Sequence, residues 1–249
     1  AKFIGNSDFE ITGINERRYA NKDLKASDLG FIAAKNAIEN ADILTTDSKF
    51  VQKTYYEKFG LKIEYLPAPL DVKKFINIPK SKLKNQVVFI GRDSHEKGID
   101  ILKSIESSIN SKVIYCTNID WTETMKILQQ SKLLIVPSRQ ESLPQVIKEA
   151  FYLKVPVIAT DVGGISELVE HNQTGILVPS QSPEKLEIAI NDLLENFELQ
   201  EILKENAYNF ILENFTWEKL LPKYIKFYNI VMHNGVFSSI DDIFVGCVD

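Results

Sequence analysis

Short apolar runs alternate with longer amphipathic stretches through most of this chain. Between residues 76 and 215 the runs are marked by Val87, Val113, Leu133, Val157 and Ile176. Runs of Val, Ile and Leu with little polar alternation read as strands buried on both faces. The predicted strands include Gln86–Gly91, Lys112–Cys116 and Lys132–Val136, with helices over Ile99–Ser107, Trp121–Gln130 and Pro144–Leu153. Strand and helix in turn predict an α/β fold with a parallel, helix-covered sheet. Earlier in the chain the pattern predicts a helix at Asp28–Asn40 and a strand near Ile43. A helix at Ser48–Phe59, with Tyr55, Tyr56 and Phe59 as core, and a strand at Lys62–Leu66 follow. Three parts result: a partial α/β segment over 1–75, an α/β domain over 76–215, and a closing helix with a tail over 216–249.

Chemistry concentrates in two places. Glu141 and Glu149 stand eight positions apart, after the apolar run that ends at Pro137 and before the run at Val155–Thr160. Ser142 is the expected N-cap, and Pro144 suits the first turn because its missing N–H costs nothing there. The N–H groups of that helix form an anion site at the carboxyl end of a strand. At ~1.5 Å per residue the two carboxylates are at most roughly 12 Å apart along the axis, a span that fits a nucleoside diphosphate sugar. Upstream, Gly91-Arg-Asp-Ser-His-Glu-Lys-Gly98 closes another strand. The Arg92 fork and the Lys97 point charge suit a diphosphate that gains negative charge as it leaves. Gly91 permits close backbone approach. His95 is expected to be solvated, and Gly163-Gly164 to form a tight turn.

These two motifs resemble the E-x7-E signature and the G-R-x(4)-K-G loop of the retaining GT-B glycosyltransferases of group 1 (GT4-like). Weaker likeness lies in Ala41–Ser48, in Tyr65–Asp71 with Phe75 (the interdomain linker), in Val155–Glu167, Gln173–Val178 and Phe215–Glu218. It covers roughly residues 35–232. The resemblance implies a Rossmann-like C-terminal domain of GT-B type, a partial N-terminal α/β domain, and a closing helix that packs back on it. It implies transfer of a hexose from a UDP-sugar or GDP-sugar, with retention of configuration and no metal or other cofactor. Arg92, Lys97 and Glu141 would be catalytic. Gly91, Arg92, Lys97, Thr117, Ser142, Leu143, Pro144, Gln145, Val146 and Glu149 would hold the donor, with Glu141 on the hexose, Glu149 on the ribose and Thr117 near the base. The chain departs from the pattern in residues 1–75, which lack the histidine and Gly-rich loop of the family's acceptor half. A non-catalytic nucleotide-sugar-binding or interaction module, and a GT-B-like sugar-nucleotide epimerase, stay open as alternatives.

Composition narrows the classes. Among 249 residues 44% are hydrophobic, enough for a core, and the net charge of −5 argues against a nucleic-acid partner. Two cysteines, Cys116 and Cys247, are too few for a disulfide framework and point to a reducing, cytoplasmic setting. No apolar stretch is long enough to span a bilayer. Ala1 stands where an initiator Met is expected, so an upstream segment is expected to have been removed. The lysines over 73–84 suggest a solvated linker with peripheral contact to anionic lipid as a second use. The short N-terminal part predicts self-association. The acceptor class expected is a glycan, a lipid or a small molecule. No G-x-G-x-x-G follows a strand, which disfavours a dinucleotide oxidoreductase.

Overall fold

The computed structural model describes residues 38, 41, 43–79 and 82–233. The Asp28–Asn40 helix and the tail beyond 233 therefore lie outside the described residues, apart from Ile38, which is helical. The chain forms two compact units: residues up to Ala68 with those from Leu220 onward, and Pro69–Lys219. The division falls at Ala68/Pro69 and Lys219/Leu220 rather than at 75/76 and 215/216. The reason is local packing: Phe75 lies edge-on to Trp121 and against Tyr152, and Leu70 N–H donates to the Phe215 carbonyl.

In the first unit, β1 (Thr45–Thr46) pairs in parallel with β2 (Glu64–Tyr65). Between them runs α1 (Lys49–Phe59), whose first turn is capped by the Ser48 hydroxyl accepting from Val51 N–H. Only Tyr55 of its predicted core trio is buried; Tyr56 and Phe59 are 60% and 54% exposed. Tyr55 packs with Leu44 and Ile63, a cluster too small to cover a wider stripe of the helix.

The second unit holds a five-stranded parallel sheet of order β4-β3-β5-β6-β7. The strands are β3 (Gln86–Ile90), β4 (Lys112–Cys116), β5 (Leu133–Val136), β6 (Val157–Thr160) and β7 (Ile176–Val178). All five predicted strand positions fall within them. The inner strands β5 and β6 are buried at every residue, which is why their sequences show no alternation. The helices between strands are α2 (Ile99–Ile105), α3 (Trp121–Gln129) and α4 (Gln145–Tyr152); α5 (Pro183–Glu195) and α6 (Phe197–Asn214) follow β7. Val87, Phe89, Leu133, Ile135 and Ile158 pack against Leu102, Leu186, Ile190 and Leu203 in one continuous core. At the β7 edge, His171 Nδ1 accepts from Leu177 N–H, so this histidine serves the backbone.

α7 (Trp217–His233) is the last helix among the described residues. Its later part belongs to the first unit, where Phe227 and Val231 pack on Leu66 and Tyr224 donates its hydroxyl proton to the Pro67 carbonyl. Among the described residues no helix is long and apolar enough to cross a membrane.

Candidate functional site

Strand order decides where the site forms. From β3 the chain moves outward to β4, then returns to the other side of β3 to make β5. The connections leaving β3 and β5 therefore diverge, and in open α/β sheets ligands bind in the crevice this opens at the carboxyl ends of the strands. Lys97 comes from the loop after β3 and Glu141 from the loop after β5. They meet there: Lys97 Nζ is 2.8 Å from Glu141 Oε1 and 3.0 Å from Oε2. Ser138 Oγ donates to Oε1 at 2.7 Å. The Glu141 side chain is 4% exposed and that of Lys97 20%, so the ammonium is the more open end of the pair. Two of its three N–H donors can serve the carboxylate, which leaves one for a ligand oxygen.

Two glycines hold the acidic loop in place. Gly98 has φ +66, and a Cβ there would stand 1.9 Å from the Pro137 carbonyl oxygen. Gly163 has φ +57, and a Cβ would stand 1.8 Å from the Glu141 carbonyl oxygen. Only glycine fits either contact. The turn at Gly163-Gly164 is thus a turn whose backbone rests on the acid-bearing loop. Thr160 Oγ1, at the end of β6, donates to the Ser138 carbonyl and adds a third tie.

Glu149 is positioned separately. Trp121 opens α3, whose cap Asp120 accepts from Thr122 and Glu123 N–H, and its indole N–H donates to Glu149 Oε1 at 2.8 Å. The Trp121 ring also packs edge-on against Phe75. The indole N–H of a half-buried tryptophan commonly finds a partner, and that tendency was the available signal. Burial pushes the Glu149 carboxyl above its ordinary 4.5, opposed by the Trp121 hydrogen bond and the charges of Lys148 and Lys74. A carboxyl raised on folding binds its proton more tightly in the folded state. Its ionisation therefore lowers stability as pH rises from the unfolded value through the raised folded one. Glu149→Gln keeps an oxygen for Trp121 and removes that titration. Its melting temperature relative to wild type should rise between pH 4 and 7; a parallel pair of curves would contradict this.

The other expected residues lie around this centre. Gly91 packs beside Lys97, whose Cγ would be 3.7 Å from an added Cβ. Arg92 stands exposed, and its charge helps lower the Glu96 carboxyl, after the larger effect of a backbone hydrogen bond. Thr117 is half-buried one strand outward, beyond β4. Leu143 and Pro144 are buried, Ser142 and Val146 half-buried, and Gln145 exposed. Ser142 is not the N-cap. That place is taken by Pro144, with φ −64 and ψ 120, and the helix begins at Gln145. A residue before proline avoids the α region, which delays the start. Pro144 offers no side-chain cap to the first-turn N–H groups. Arg139 and Asp100 were missed altogether and bridge the two loops, as described below.

Residues 103–210 match the family model described as "Glycosyl transferases group 1". The fold superposes on sucrose-phosphate synthase from Thermosynechococcus elongatus with a TM-score of 0.73 at 21% identity, covering 89% of this chain and 66% of that one. Its fold is that of the GT-B glycosyltransferases. Anabaena HepE, solved in complex with UDP-glucose, gives a TM-score of 0.68 at 18% identity, over 82% of this chain and 68% of HepE. An uncharacterized glycosyltransferase of Methanocaldococcus jannaschii is 29% identical over 229 residues, which is 82% of this chain and 64% of that protein. Family model, relatives and fold neighbours together support the glycosyltransferase group 1 family. The chain spans between 40% and 64% of the length of the first two curated relatives it matches. The Lys97–Glu141 meeting point thus lies within a fold of GT-B type, on residues this chain itself supplies.

Proposed function

We propose that this site binds a nucleoside diphosphate sugar, and that the protein transfers the hexose to an acceptor with retention of configuration. The observation that carries the reading is the meeting of Lys97 and Glu141 at the switch between β3 and β5. The Lys97 ammonium takes the diphosphate with its remaining donor, and Arg92 adds a second cation at the exposed rim. Both oppose the negative charge that develops on the leaving group. Their charges make a metal unnecessary for that step. Glu141 accepts from hexose hydroxyls through the lone pairs that Lys97 and Ser138 leave open. Glu149 takes the ribose hydroxyls, with one oxygen oriented by Trp121. Backbone N–H groups of Ser142, Leu143, Gln145 and Val146, around the helix start, face the phosphates or sugar; Pro144 supplies none. Gly91 lets the backbone approach, and Thr117 lies toward the base. A glycan, lipid or small-molecule hydroxyl is the acceptor, in a reducing compartment.

Thermal melting with UDP, GDP, ADP and their sugar conjugates tests this. A ligand at ~100 times its Kd should add about 2.7 kcal/mol to wild type and far less to Glu149→Ala. Release of free sugar with water as acceptor would mark a transferase. Tight binding with no chemistry would leave a binding module, and isomerised donor an epimerase. No shift with any nucleotide would overturn the reading.

A further inference from the structure

We propose that Arg139 is a positioning residue: with Asp100 it clamps the loop after β3 onto the loop after β5 and so sets the Lys97–Glu141 pair. Arg139 ties its loop to the segment after β3, including Asp100 in the first turn of α2, by four short hydrogen bonds, three from the guanidinium and one from the backbone. Nη1 donates to Asp100 Oδ1 and to the His95 carbonyl, each at 2.7 Å, and Nη2 donates to Asp100 Oδ2 at 2.7 Å. The Arg139 backbone N–H donates to the Glu96 carbonyl, also at 2.7 Å. His95 and Glu96 are the two residues directly before Lys97 in one 3-10 turn. Arg139 stands two residues before Glu141. Each end of the clamp is therefore next to one member of the ion pair, and the planar fork fixes orientation as well as distance.

The pair is only half shielded: the Arg139 side chain is 11% exposed and that of Asp100 55%, so water screens one end. Arg139 Nε is buried without a hydrogen-bond partner, a cost that works against the folded state. What the arrangement does provide is a fixed gap between two loops whose side chains face one ligand, and errors of about 1 Å in such a gap can cost ~100-fold in rate. The meaning of the clamp for nucleotide sugars rests on the function proposed above, but its effect on the ion pair does not.

The test has a ligand-free part and a ligand part. A double-mutant cycle with Lys97→Met and Glu141→Gln, read by denaturant unfolding, measures the coupling between the two side chains. It is repeated in Arg139→Gln and in Asp100→Asn, the second of which opens the fork from its exposed end and leaves the arginine in place. The clamp predicts that the coupling falls by half or more in both backgrounds. Glu205→Gln, which breaks the exposed Lys154–Glu205 pair elsewhere on the domain, should leave the coupling unchanged. Unchanged coupling in Asp100→Asn would overturn the clamp. In parallel, UDP and UDP-glucose are titrated calorimetrically. Loss of about tenfold or more in affinity in Asp100→Asn, with a melting temperature within ~3 °C of wild type, supports a positioning role. Equal affinity in wild type and Asp100→Asn would overturn it. If wild type binds neither compound while the coupling still falls, the clamp stands and the nucleotide-sugar reading fails.

Discussion

Gly163→Ala should destabilise the protein by about 3 kcal/mol and weaken nucleotide binding through its contact with the Glu141 backbone. Two costs add. At φ +57 an L-residue is strained, and the new Cβ would lie 1.8 Å from the Glu141 carbonyl oxygen. A backbone atom cannot rotate away as a side chain can, so the acid-bearing loop must shift. Gly60→Ala is the control, because Gly60 has φ +66 and nothing within 4 Å of an added Cβ. It should show the strain alone, about 1 kcal/mol. Urea unfolding of the two variants separates strain from overlap, and equal losses would show that the contact with Glu141 does not matter. Gly98→Ala, 1.9 Å from the Pro137 oxygen, should behave like Gly163→Ala.

Lys97→Met should cost about 2–3 kcal/mol, because it leaves the nearly buried Glu141 carboxylate with the Ser138 hydroxyl in place of a cation. The same change combined with Glu141→Gln removes both charges and should recover most of that loss. Nucleotide binding should not recover with it. If Lys97 contacts the diphosphate, the stable double variant still lacks the cation, and UDP or GDP will no longer raise its melting temperature. A stable double variant that binds nucleotide as wild type does would separate Lys97 from the ligand. A single variant as stable as wild type would show that water compensates the carboxylate in this site.

Much of the fold was legible because the signals are local. The β5 and β6 strands are short, apolar and buried on both sides, and such strands announce themselves without any knowledge of neighbours. The helix starts were less secure. Ser142 has the chemistry of a cap, but the backbone restriction imposed by Pro144 outweighs it. Tyr56 and Phe59 share helical spacing with Tyr55 yet stay exposed, because periodicity reports which side chains share a face and not whether another element covers that face.

For the site, the sequence by itself determined the types and spacing of the reacting groups: a basic loop, two glutamates eight positions apart, and a helix start after a strand. It also determined that glycines stand at 98 and 163. Only the tertiary structure decided which groups meet. Lys97 and Glu141 are 44 positions apart, Arg139 and Asp100 are 39, and Trp121 and Glu149 are 28. Each pair joins segments, loop or helix, that follow different strands, so each depends on the order β4-β3-β5 in the sheet. Strand order is set by how the helices and strands pack together in the whole domain. No local run of residues encodes it, and the same motifs on another strand order would not face one another.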